Sequence, residues 1–147
     1  MNYKQGNRDM SMKDVWPDYL KTGYFEKVGD ENCLRTELVS FEKMDNLAAT
    51  MADQRLSKTQ LRRFFSHCRA IEIKLKGGES WEKVRALFLK IRYVAAHSRN
   101  QTSKEFPLIF FDFISRNVDQ VKTKDEFLLG FMPHFEALVG FSSKYLR

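Results

Sequence analysis

A chain of 147 residues is long enough for one domain with a real core and too short for two comfortably. Its 43% hydrophobic and 14% aromatic content, with thirteen Phe, suits a soluble globular protein with an aromatic core. No apolar run reaches the roughly 18–20 residues of a membrane span, and the polar start MNYKQGNRDMSMKD lacks the apolar stretch of a secretory signal. Cys33 and Cys68 stand in no CxxC or His-x-x-Cys spacing, so a disulfide scaffold and a zinc site are both weak readings. Reduced thiols in the cytoplasm are the expectation.

Residues 1–35 read as a poorly periodic, partly disordered extension, with Trp16, Tyr19, Tyr24 and Phe25 available to pin part of it to the body. Residues 36–147 read as one helical domain. A helix is expected from about Thr36 to Gln54, with Leu38, Phe41, Leu47, Ala48 and Met51 on one face. Ser57 with Gln60 three residues on makes a capping box, and Gly77-Gly78 ends the helix it opens. Within that helix Leu61, Phe64, Cys68, Ile71 and Leu75 fall in one sector at 100° per residue.

A third helix is expected from a Ser80 cap to about Ser98, with Val84, Leu87, Phe88, Ile91, Val94 and Ala95 inward. A fourth, from a Ser103 cap to about Val118, is apolar over most of its circumference and therefore central. Thr123 with Glu126 opens a last helical stretch to about Tyr145, which Gly130 and Pro133 should kink or break in two. No segment shows sustained β-type alternation. The expected fold is all-α, a single-domain bundle of five or six helices.

Charge is the most informative pattern. Between Arg55 and Arg99 stand twelve Lys/Arg against Glu72, Glu79 and Glu82, a local net of +9, while the rest of the chain carries −3. Such concentration marks a polyanion footprint. Arg55, Arg62, Arg69 and Lys76 recur every seven residues, as do Arg85, Arg92 and Arg99, so each set forms a ridge along one side of a helix. Arginine forks grip phosphate bidentately, and Tyr93, then Phe65, are the aromatics placed to stack on bases. Long basic side chains beside an apolar stripe also simply cover the edge of a core.

Catalytic signals are poor. His67, His97 and His134 have no metal-ligand spacing, although His67 and His97 both lie in the basic window, where a histidine pair can cleave RNA. Asp112 and Asp119 are spaced as a solvated face is, and Glu136 is placed to pair with an arginine. No phosphate loop, nucleophile elbow or nucleotide fingerprint is present, so no enzyme, cofactor or metal is expected. A helical adaptor for acidic protein partners remains the alternative to nucleic-acid binding.

Three stretches carry a family resemblance. LSKTQLRRFF at 56–65 resembles the L-T/S-x-x-Q-L-R-K opening of the small-subunit family of type III-A CRISPR–Cas (Csm) effector complexes. LFLKIRYVAAHSR at 87–99 is similar to that family's L-x-x-K/R-L-x-Y-x-x-x-R block, and FMPHFEALVGFSSKY at 131–145 to its F-x-x-F-F-E-A-I-V-A-Y-H-K ending. The likeness spans about 55–147; residues 1–35, Pro133 and Phe141-Ser142-Ser143 depart from the pattern. It implies a non-catalytic helical subunit that stacks in several copies beside the crRNA-bearing backbone subunits, alongside a polymerase-like large subunit. It further implies that the chain self-associates and holds the crRNA and target single-stranded RNA backbone in antiviral defence. By the resemblance, Lys58, Arg62, Arg63, Arg92 and Arg99 contact RNA with Tyr93 in support; Arg55, Arg69 and Arg85 join them from the ridge geometry.

Overall fold

A computed structural model of the protein describes residues 9–101 and 106–147. Among the described residues the chain is mostly helical, a single domain around one hydrophobic core. The elements are α1 (Met12–Val15), a hairpin of β1 (Phe25–Val28) and β2 (Glu31–Leu34), then α2 (Phe41–Asp53), α3 (Lys58–Lys76), α4 (Trp81–Gln101), α5 (Leu108–Gln120) and α6 (Met132–Ser142). None of these helices is long and apolar enough to cross a membrane.

The segment before α2 is built into the core. Met12, Trp16, Tyr19, Leu20 and Tyr24 are all buried, and the Met12 amide donates to Asp112 of α5 at 2.8 Å. The hairpin was not legible as alternation because each strand has only four residues. Its antiparallel register, Phe25 opposite Leu34 and Val28 opposite Glu31, leaves a two-residue turn in which Gly29 takes φ +64°. Of the extension expected to be partly disordered over residues 1–35, residues 1–8 lie outside the described residues.

The helix expected from Thr36 is shorter. Thr36–Leu38 form a single 3₁₀ turn, the chain breaks at Val39, and the Ser40 hydroxyl accepts from the Lys43 amide to start α2 at Phe41. Phe41 therefore sits in the first turn and is 62% exposed, not inward; Met44 takes its place in the core. Arg55, at φ +76°, turns the chain from α2 into α3. The Ser57–Gln60 box closes as expected, at 2.9 and 3.1 Å.

Helix α5 begins at Leu108, five residues after the expected Ser103 cap, which lies outside the described residues. Proline at 107 explains the start: its ring disfavours a helical residue before it, and its carbonyl accepts from Phe110 and Phe111. At the other end, Glu126 Oε1 accepts from the Lys122 and Thr123 amides while Thr123 Oγ1 accepts from Glu126, completing the expected box. Glu126–Phe131 then wind as a π-helix running straight into α6. The widened turn absorbs Pro133, whose missing N–H falls in the first turn of α6.

Helix α6 packs on α2 and α3, and α4 packs between α3 and α5. A continuous run of rings joins them: Trp81 to Phe127, Phe127 to Phe88 and Phe131, Phe131 to Phe135, Phe135 to Phe113, Phe113 to Phe110, and Phe110 to Phe64. Centroid separations run from 5.1 to 6.1 Å. Edge-to-face and offset pairs of this kind add to the area each ring buries. Both α5 and α6 are central, which accounts for the apolar character of their sequences.

Candidate nucleic-acid interface

The two arginine ridges differ in fate. Seven residues fall about 20° short of two full helical turns, so a heptad ridge drifts around its helix. On α4 that drift carries the ridge toward the core. Arg85 is exposed, the Arg92 side chain is 40% exposed and that of Arg99 is 20% exposed. Arg92 donates to the Ser115 carbonyl at 2.8 Å and pairs with Asp119, fastening α4 to α5. Arg99 donates to the Phe106 carbonyl at 2.9 Å and to Asp9 at 3.2 Å.

Helix α3 presents two basic flanks, one on each side of its buried sector. Toward α6 lie Lys58, Arg62 and Arg69. Arg69 is engaged by Glu72 at 3.0 Å and Glu136 at 3.7 Å, with its guanidinium 5.9 Å from the Phe65 ring. Phe65 itself packs edge-on against Phe135 at 5.3 Å, so its ring belongs to the α3–α6 contact. Lys58 and Arg62 border a hollow floored by Leu61, Val139 and Leu146. Arg55 and Arg147 border the adjoining hollow, and the Lys58 amide donates to the Arg147 carbonyl at 3.0 Å. Among the described residues, the Arg55, Lys58 and Arg62 side chains form no ion pair or hydrogen bond.

Toward α4 the flank of α3 carries Arg63 and His67. They face Lys90 and Val94 across a groove with Phe64 and Ile91 at its base. His67 Nε2 donates to the Leu87 carbonyl at 2.8 Å, pinning the two helices, and the Arg63 guanidinium lies 5.7 Å from the Phe64 ring. Lys90 lies off the seven-residue repeat because it stands on the opposite flank of α4 from Arg85, Arg92 and Arg99. Tyr93 is 64% exposed on the outer face of α4.

The structure thus brings Arg55, Lys58 and Arg62 together at the start of α3, and Arg63 with Lys90 in the groove. It leaves Arg85 on the open edge of α4 and engages Arg69, Arg92 and Arg99 within the fold. Phosphates can reach the first two groups without breaking an existing contact, and α3 links them because Arg62 and Arg63 are adjacent.

His134, Asp112 and Asp119 hold elements of the fold together. His97 lies ten residues beyond Leu87, roughly 15 Å along α4 from the level of His67, so the two imidazoles do not share a reacting centre. His134 is fully buried: its Nδ1 donates to the Leu38 carbonyl and its Nε2 accepts from the Tyr19 hydroxyl, both at 2.6 Å. Burial lowers its pKa to about 4, keeping the ring neutral. Burial likewise pushes the Cys68 thiol well above its usual range. Asp112 binds Arg116 and the Met12 amide, while Asp119 binds Arg92. Among the described residues no group of three or more His, Cys, Asp or Glu is placed to hold a metal ion.

No curated protein and no solved structure matches the chain. One family does, described as Csm2 Type III-A, over residues 37–147, a span that takes in α2 through α6 and both groups of accessible cations. With three-quarters of its length matched, the chain belongs to the Csm2 type III-A family, the small subunit of type III-A CRISPR–Csm effector complexes.

Proposed function

We propose that the protein is a non-catalytic subunit that holds the crRNA and target RNA backbone without reading sequence. The observation that carries this reading is the set of accessible cations Arg55, Lys58, Arg62, Arg63, Arg85 and Lys90, which form no ion pair among the described residues. They concentrate on α3 and the open edges of α4 in a chain whose remainder is net acidic. Contacts to phosphate position a nucleic acid and carry no sequence information, which suits a subunit that must accept any guide while base pairing does the reading.

In this reading several copies stack beside the backbone subunits in the cytoplasm and contribute to antiviral defence. Strand cleavage and the response of the polymerase-like large subunit belong to other chains. Arg69, Arg92 and Arg99 support the interface by holding α3 and α4 in place, although the family resemblance names Arg92 and Arg99 as contacts.

Fluorescence anisotropy of the purified chain with a labelled single-stranded RNA tests this. Affinity should be indifferent to sequence and fall with salt at about −0.7 in the log–log slope per phosphate neutralised. Arg62→Glu with Arg63→Glu and Lys90→Glu should abolish binding and leave the fold intact by circular dichroism. Unchanged affinity in that variant would remove the proposed surface.

A further inference from the structure

The groove between α3 and α4 has an apolar floor beneath two cations. Phe64 and Ile91, each 2% exposed, form its base, Val94 and the His67 ring wall it, and Arg63 and Lys90 stand exposed on opposite rims. Phosphate contacts account for the rims and leave the floor without a use. The groove holds about 220 Å³, below the roughly 300–1,000 Å³ of sites that take drug-sized ligands. That is room for one ring system and too little for a partner helix.

The lining restricts what kind of ring can sit there. His67 Nε2 is engaged by the Leu87 carbonyl, and Phe64, Ile91 and Val94 carry no side-chain donor or acceptor. A sugar hydroxyl would give up water on that floor and find no partner, which is unfavourable. A nucleobase lays down an apolar π-face and keeps its polar edge at the open side of the groove. Among the described residues no carboxylate lines the groove, so a strand crossing it meets a cation on each side.

We propose that the α3–α4 groove seats one unstacked nucleobase of the bound strand, with Arg63 and Lys90 holding the phosphates on either side of it. The seat presupposes the RNA reading above and adds a base contact to a surface otherwise made of phosphate contacts. Every base has a π-face, so the seat tolerates any sequence while requiring that a base be present. His67 and Val94 become contacts to the base that neither composition nor charge pattern marks.

Two oligonucleotides of equal length and charge test this by anisotropy: oligouridine, and the same phosphodiester chain with abasic residues throughout. The abasic chain should bind the unaltered protein at least about fivefold more weakly, the low end of what one stacked base contributes. Val94→Phe, which fills the groove, should bring oligouridine down to the abasic level with the salt dependence unchanged. Equal affinities in the unaltered chain overturn the base seat and leave the phosphate contacts standing. No binding of either oligonucleotide overturns both. A difference that survives in Val94→Phe puts the base elsewhere, with Tyr93 the exposed alternative, and overturns the seat.

Photo-cross-linking reads the same seat without a variant. Oligo(4-thiouridine) irradiated on the unaltered protein should leave adducts on Phe64, His67, Ile91 or Val94, mapped by mass spectrometry. Adducts confined to Tyr93 or to other positions, or no adduct at all, overturn it.

Discussion

The Tyr19 hydroxyl donates to His134 Nε2 at 2.6 Å, joining the segment ahead of the hairpin to the first half of α6 across 115 positions of sequence. The bond is one link in a buried chain. His134 Nδ1 donates to the Leu38 carbonyl, Asn117 Nδ2 donates to the Tyr19 oxygen at 2.8 Å, and the Tyr24 hydroxyl donates to Asn117 Oδ1 at 2.7 Å. Each member satisfies a neighbour that has no water to turn to, so the network locks residues 19–24 onto α5 and α6.

Tyr19→Phe removes the donor to His134 and the acceptor for Asn117 together. Leaving a buried polar group unpaired costs about 1–3 kcal/mol, so the variant should melt several degrees below the unaltered protein while keeping its helical spectrum. A Tm shift of less than one degree would mean that the network contributes nothing to stability.

Acid sensitivity follows from His134. Its folded pKa, about 4, lies below the ordinary value of 6.5, so between these values the unfolded chain binds a proton that the folded chain refuses. Stability is therefore intact above pH 6.5 and falls as the pH drops toward 4, by a total on the order of 3 kcal/mol. Denaturant titrations at pH 7 and pH 4.5 should show a smaller loss in His134→Gln than in the unaltered chain, because carboxylate contributions are common to both. Equal losses would place the acid response elsewhere.

Gly130 is needed for its lack of a side chain. A Cβ there would lie 2.6 Å from Cγ of the buried Tyr24 ring, a distance no side chain tolerates. Gly130→Ala must push Tyr24 away from Asn117 or distort the π-turn, and overpacking of this kind costs typically 1–3 kcal/mol. Thermal melts of Gly130→Ala and Gly140→Ala make the comparison, since Gly140 has open space around its Cβ position. Only the first should fall sharply.

The arginines divide into two classes by consequence. Arg99→Ala loses bonds to the Phe106 carbonyl and Asp9, so it should lower stability by about 1–2 kcal/mol. Arg63→Ala, on the groove edge, should leave stability within about 0.5 kcal/mol and instead weaken RNA binding. Paired melts and anisotropy on the two variants check this, and a reversed pattern would mean that the internal bonds of Arg99 are incidental to the fold.

Helix identity was legible in particular residues because its causes are local. Ser57 with Gln60, Thr123 with Glu126, and Gly77-Gly78 act within a turn or two of chain, and the 3.6-residue period of Leu61, Phe64, Cys68, Ile71 and Leu75 states which side is buried. The break at Ser40 and the start at Pro107 were also written locally, and a stricter weighing of those two residues would have found them. The hairpin was not, because four-residue strands are too short for a period of two to register.

What sequence alone determined was the fold class, the aromatic core and the concentration of positive charge between Arg55 and Arg99. Each follows from composition or from spacing along one helix. Only the tertiary structure decided which of those charges stay unpaired, because that depends on what lies opposite each flank. Asp119 and the Ser115 carbonyl stand across from Arg92, and Glu136 stands across from Arg69, while across from Arg63 is another cation, Lys90. The partners Ser115 and Asp119 of Arg92 and Glu136 of Arg69 stand 23 to 67 positions away in sequence, so no pattern within a single helix encodes them.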